Sequence, residues 1–419
     1  MANSPTEADV HAQQLDVHAE PLAVLRTRTS EKWTAFPADV LPLFVAEMDY
    51  PLAAPIITAL VERVRASDTG YVGSPGPLAP VFVAFAQRKW GWEVDPQRIH
   101  TTTDVSVAIV ETLRLAIKPG DAVVITPPVY PPFFDLVPEA GGVVVEVPLA
   151  DGADEADGDS ADTDADADGG ADTDGGDRGT WSLDLAALET QFAAGARAFL
   201  LCNPHNPLGL VHTRAQLEAV ATLALKYGVT VVSDEIHGPL AHSDAEFVPF
   251  LSVSDAAREV GVAVTSASKA FNLAGTKCAL MITASDRGDA LLARLPAEVA
   301  FRTSLLGLHA NVAAFTDGDA WLAGALRAIE SNRQLLATLL AEKLPGVRFR
   351  MPRASYLAWL DCRDLNWGDD PAAHALDVAR VALSPGQDFG TQGRGFMRLN
   401  FACSPEVLTE AVDRLAAAR

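Results

Sequence analysis

The 419-residue sequence has no uninterrupted apolar stretch near the ~20 residues a membrane-spanning helix needs, so no transmembrane segment is expected. Cysteine is scarce. Cys202, Cys278, Cys362 and Cys403 lie far apart and form no CxxC pair, which argues against a disulfide framework and leaves no expected metal site. Positive charge is also short, with 32 Lys and Arg against 55 Asp and Glu and a net charge of −23. Such a chain is not expected to bind nucleic acid through bulk charge, and no helix-turn-helix unit precedes its body. Residues 1–20 lack both a basic start and an apolar core, so they read as a disordered tail on a cytoplasmic protein rather than a leader.

What is present suits two associated lobes, because 419 residues exceed the size at which one hydrophobic core stops growing. Residues 151–177 hold eleven Asp and Glu155 with no Lys or Arg, leaving −11 on the rest of the chain. Asp, Ala, Gly and Thr bury too little apolar surface to offset ordering entropy, so 151–179 is expected to be a disordered acidic insertion. Around it, β-rich runs at 122–126, 143–147, 198–202, 230–233, 262–265 and 279–283 alternate with helical stretches. That order predicts an α/β fold with a mostly parallel sheet. Helical periodicity covers 214–227 and 320–343, the second running into Pro345-Gly346 as a stop. A smaller α+β unit follows, with strands at 347–350, 356–361 and 397–401, a helix near 371–382 and another from Pro405. The expected division is a large domain over 53–319 and a small one built from 21–52 and 320–419.

Three motifs occur in order: Asn203-Pro204-His205-Asn206-Pro207, Asp234-Glu235-Ile236-His237 and Ser266-Ala267-Ser268-Lys269. Asp234 and Lys269 each follow an apolar run, which places both at carboxyl ends of buried strands, where open α/β sheets bind ligands. A buried amine of lowered pKa serves as nucleophile and base, and a carboxylate beside it holds a ring nitrogen protonated. These are needs of pyridoxal 5'-phosphate (PLP). Ser266 and Ser268 offer hydroxyls to its phosphate, Lys277 a positive charge, and the helix after Thr101-Thr102-Thr103-Asp104 free N–H groups, with Asp104 as N-cap. Tyr130, on the stiff loop 127–132, suits the face of a planar ligand. Arg398, among apolar neighbours in a strand, suits an α-carboxylate. Each has a plainer competitor: a helix cap for Asp234, a solvated lysine for Lys277, core packing for Tyr130 and a structural ion pair for Arg398.

Together the motifs resemble fold-type I PLP-dependent enzymes of the aminotransferase class I/II superfamily, and within it the MalY/PatB-like cystathionine β-lyase branch. The resemblance covers about residues 22–418 apart from the insertion. It is carried also by 44–50 (Phe-Val-Ala-Glu-Met-Asp-Tyr), 266–275, 356–361 and 398–403. It implies that Lys269 is the Schiff-base lysine, Asp234 pairs with the pyridine nitrogen, Asn206 donates to the phenolic oxygen and Tyr130 stacks on the ring. Ser266, Ser268, Lys277 and the backbone of Val105 and Ser106 would hold the phosphate, with Tyr71 of a second subunit, which implies a homodimer. His237 would lie beside the cofactor, and Arg398, Asp49 and Tyr50 by the substrate. Three residues depart from the branch pattern: Leu208 stands where threonine is usual, Asp104 where glycine is and Arg353 where glutamate is.

The implied reaction on a small amino-acid substrate starts with α-proton removal by Lys269 and ends with loss of a thiol, leaving pyruvate and ammonia. A PLP-dependent aminotransferase would use the same residues. A third reading is a PLP-binding regulatory or interaction protein with secondary activity.

Overall fold

In the computed structural model of the chain, the described residues are 15–152 and 181–419. Residues 1–14 of the expected tail and 153–179 of the expected insertion lie outside them. The insertion is flanked by a short antiparallel pairing of Ala150–Asp151 with Trp181–Ser182.

A seven-stranded sheet forms the centre. Its spatial order is Ile99–Thr102, Ala279–Ile282, Gly261–Thr265, Thr230–Asp234, Ala198–Cys202, Ala122–Ile125 and Val143–Glu146. Only Ala279–Ile282 runs against its neighbours. The apolar runs are continuous because both faces are covered. Phe199, Leu201, Val231, Ala263 and Leu280 pack into one core with Leu217, Val220 and Ala224 of the helix Arg214–Tyr227. Their neighbours Leu200, Val232, Val262, Val264 and Met281 pack into the other, with Ala108, Ile109 and Leu113 of the helix Val105–Ala116. The period-two alternation of strand side chains thus feeds two separate cores.

Local signals set the helix ends that matter. Thr213 and Gln216 form a capping box at the start of Arg214–Tyr227, and Gly228, at φ +71°, ends it. Asp104 caps Val105–Ala116, its side chain accepting from the Val107 N–H. The edge strand Ile99–Thr102 was not expected, since Ile-His-Thr-Thr carries little apolar signal. It exists because it pairs antiparallel with the buried strand Ala279–Ile282.

The second sheet orders Arg348–Phe349, Leu357–Asp361, Phe396–Asn400 and Ser384–Pro385, all antiparallel. Helices Asp319–Lys343 and Pro405–Ala417 pack on it through Leu336, Leu340, Leu408 and Val412. The helix expected near 371–382 is corrected: an α-turn Pro371–His374 passes into a π-turn Ala375–Ala379, then a strand Val381–Ala382. Arg380, at φ +57°, breaks the helix, and Val381–Ala382 pairs in parallel with Leu41–Pro42. That pairing is a separate two-stranded sheet that ties the N-terminal segment to the C-terminal part of the chain.

Candidate active site

Strand register brings the three motifs together. Cys202 pairs with Asp234, and Asp234 with Val264, so the turns beginning at Asn203, Glu235 and Ser266 leave the same sheet edge side by side. Asp234 is buried, and its only side-chain hydrogen bond among the described residues accepts from the Ile236 N–H at 3.2 Å. Burial raises its pKa to about 7, against the pull of that N–H and of Lys269. Next to it, Glu235 accepts from Ser233 Oγ at 3.0 Å and the Phe250 N–H at 2.7 Å, pinning the loop behind the carboxylate.

Lys269 Nζ donates to the carbonyl of Ala46 at 3.1 Å. Burial, and after it the charge of Arg398, lower this amine to about 8. The Tyr356 hydroxyl donates to the same carbonyl at 3.0 Å. Residues 44–48 form a strap read along its backbone by side chains of both sheets. The Phe44 carbonyl accepts from Arg398 Nη2 (2.8 Å) and Ser384 Oγ (2.9 Å). Asn400 Nδ2 donates to the Val45 and Glu47 carbonyls, each at 2.7 Å. Asn272, at φ +58°, binds both the N–H and the carbonyl of Met48.

Arg398 is buried, and none of the ion pairs among the described residues includes it. Its Nη1 donates to Asn206 Oδ1 at 3.0 Å and its Nη2 to Ser384 Oγ at 3.1 Å, while Nε is buried without a partner. The Phe389 ring lies 5.0 Å from the guanidinium and covers one face. Burial lowers Arg398 to about 10, so it stays charged at neutral pH. Because Asn206 spends its oxygen on Arg398, its amide N–H₂ stays available as a donor.

His237 is buried edge-to-face with Tyr356, at 6.4 Å between ring centroids. Burial, then Lys269 and Arg398, push it down to about 3, so the imidazole is neutral. Tyr130 is half-buried against Phe133 and its hydroxyl is pushed up to about 12, chiefly by burial and then by Asp234. Ser266 Oγ donates to the Cys278 carbonyl at 2.6 Å and so accepts from Ser268 Oγ at 2.7 Å and from the Ser268 N–H at 3.1 Å. Val105 and Ser106 start the helix capped by Asp104, and Lys277 Nζ lies 3.0 Å from Asp104 Oδ2. Tyr71 is 89% exposed.

The two residues expected near the substrate, Asp49 and Tyr50, are both buried. Asp49 is buried in an ion pair with Lys32 at 2.6 Å, and the Tyr50 hydroxyl is buried without a partner. Sequence reasoning gave no role to Ala46, Asn272, Ser384 or Phe389. The first acts through its carbonyl, which every residue has, and the others only through long-range contacts.

The covered, mostly parallel sheet, with a lysine and the buried carboxylate of Asp234 at one edge and Arg398 on the second sheet, is the fold-type I PLP-dependent transferase fold. The chain belongs to the family described as aminotransferase class I and II, whose model matches residues 78–415. It is 42% identical over 416 residues to a protein of Mycobacterium leprae (strain TN), covering 94% of this chain and 96% of that one. Cystathionine beta-lyase PatB of Bacillus subtilis (strain 168) is 34% identical over 387 residues, covering 91% of this chain and 92% of PatB. Among solved structures, cystalysin from Treponema denticola, which contains a PLP cofactor, superposes with a TM-score of 0.83 at 25% identity. It covers 94% of this chain and 96% of cystalysin. Among the described residues no helix is long and apolar enough to cross a membrane, and no group of three His, Cys, Asp or Glu could hold a metal.

Proposed function

We propose that this chain is a PLP-dependent carbon–sulfur β-lyase that splits a cysteine S-conjugate of the cystathionine type into a thiol, pyruvate and ammonia. The observation that carries the reading is Arg398, a buried cation with no acidic partner among the described residues, held by Asn206 beside Lys269. A substrate carboxylate would supply the missing charge. The relatives named for cystathionine cleavage support the choice of bond.

The residues present fit PLP. Asp234, buried with one hydrogen bond, suits a protonated ring nitrogen, whose charge would bring its pKa back down. The free amide of Asn206 suits the phenolic oxygen, and Tyr130 and His237 suit the ring and its surroundings. Ser268, steadied by Ser266, would hold the phosphate with Lys277 and the N–H groups of Val105 and Ser106. The chemistry PLP supplies when bound is an electron sink for the carbanion left by α-proton loss. Lys269 Nζ, unprotonated in part near neutral pH, takes that proton. Arg398 and the strap at 44–48 fix the substrate's orientation, and the neutral His237 adds no competing charge. Loss of the thiol and addition of one water then balance to pyruvate and ammonium.

We read Tyr71, an exposed side chain, as the residue given to a second subunit's phosphate site in a homodimer. The proposed domain division is 53–319 against 21–52 with 320–419, joined through the strap. Four free cysteines, all buried, suit the reducing cytoplasm.

The test is to incubate the PLP-loaded enzyme with L-cystathionine and no keto acid. Continuous release of pyruvate and free thiol is expected. A single turnover without thiol would instead make the enzyme an aminotransferase.

A further inference from the structure

The proposed phosphate cradle contains an anion of its own. Asp104 Oδ1 accepts from the Val107 N–H at 2.9 Å, while Oδ2 lies 3.0 Å from Lys277 Nζ. One carboxylate therefore satisfies part of the helix N-terminus and engages the cradle's only lysine other than Lys269. Lys277 reaches it from a left-handed backbone position at φ +60° that closes the turn Ala274–Thr276. The Lys277 carbonyl is fixed by the Ser304 N–H at 3.0 Å, so the position is set by the fold. The pair is partly open to solvent, with side chains 52% and 29% exposed, so it can be broken without stranding a buried charge. The charge of Asp104 also reaches Tyr130, where it adds to burial and Asp234 in raising the hydroxyl's pKa.

We propose that Asp104 lowers the affinity for the cofactor's phosphate by competing with it for Lys277 and by adding a negative charge beside it. Asp104 is thus an affinity-setting residue for PLP, with no part in proton transfer. The inference rests on reading Lys277 and the 105–106 N–H groups as the phosphate cradle.

The experiment titrates the cofactor-depleted enzyme with PLP and, separately, with pyridoxal, which lacks the phosphate, following the visible absorption of the bound ligand. Asp104→Asn keeps a capping side chain and removes the charge. It is expected to bind PLP roughly tenfold tighter and pyridoxal no differently. Asp104→Ser, a second neutral cap, is expected to do the same. Unchanged or weaker PLP binding in both variants, or equal tightening of pyridoxal, would overturn the proposal. Lys277→Met separates the two readings: weaker PLP binding with pyridoxal unaffected supports the cradle, and no change removes the cradle and the competition together. Lyase activity does not enter the readout, so failure of the reaction assignment leaves it intact.

Discussion

Lys32 and Arg398 are both buried cations close to the strap at 44–48, yet the fold treats them oppositely. The side chains of Lys32 and its partner Asp49 are 0% and 1% exposed, and they neutralise each other at 2.6 Å. Arg398 is 6% exposed and has hydrogen bonds to an amide oxygen, a carbonyl and a hydroxyl but no counter-charge. A buried ion matched from within is part of the architecture. One left unmatched carries a desolvation cost that an incoming anion can offset. The same contrast separates Asp49, which has its lysine, from Asp234, which has one backbone N–H.

If this contrast is right, substitutions should divide into those that change activity and those that change stability. Lys269→Ala should show the largest effect, a loss of roughly 10³-fold or more in turnover, together with the visible band of the lysine-bound cofactor. Its melting temperature without cofactor should not fall, because the amine it removes was held at a desolvation cost. Asp49→Asn should do the reverse, costing about 3–5 kcal/mol in denaturant unfolding by stranding Lys32. A Lys32→Met, Asp49→Leu pair should recover most of that loss; if the double variant is no better than Asp49→Asn, the pair is not acting as a unit. Arg398→Gln should lower kcat/KM about 100-fold with stability equal to or above wild type. A clear drop in stability would make Arg398 structural.

The smallest effect concerns pH. On the proposed reading only the unprotonated Lys269 would capture PLP, and its amine is lowered to about 8. The capture rate should therefore rise with pH, by about tenfold per unit below that value, and level off above it. Stopped-flow mixing of PLP with the cofactor-depleted enzyme measures this. A rate flat across the range would mean that a different group limits capture.

Much of the site was legible because strand ends are legible. Apolar runs ending at Ser233 and Thr265 placed Asp234 and Lys269 at the sheet's carboxyl edge, and the fold has them there. Asp104 was readable as an N-cap from its position before an apolar helix. For Asp49 the sequence did not show its partner, because Lys32 lies 17 residues earlier in the chain and only packing brings the two together. The helix near 371–382 misled because local propensity cannot register that Val381–Ala382 has a strand partner at Leu41–Pro42, some 340 residues away in the chain.

By itself the sequence determined the α/β class, the order of the three motifs and the chemical types that meet at the sheet edge, because those follow from local periodicity and from which side chains end each apolar run. Tertiary structure alone decided which buried charges are neutralised. It gave Lys32 to Asp49, Lys277 to Asp104 and no acid to Arg398. Charge pairing depends on distances of a few ångströms between residues 15 to 200 positions apart, and only packing sets those.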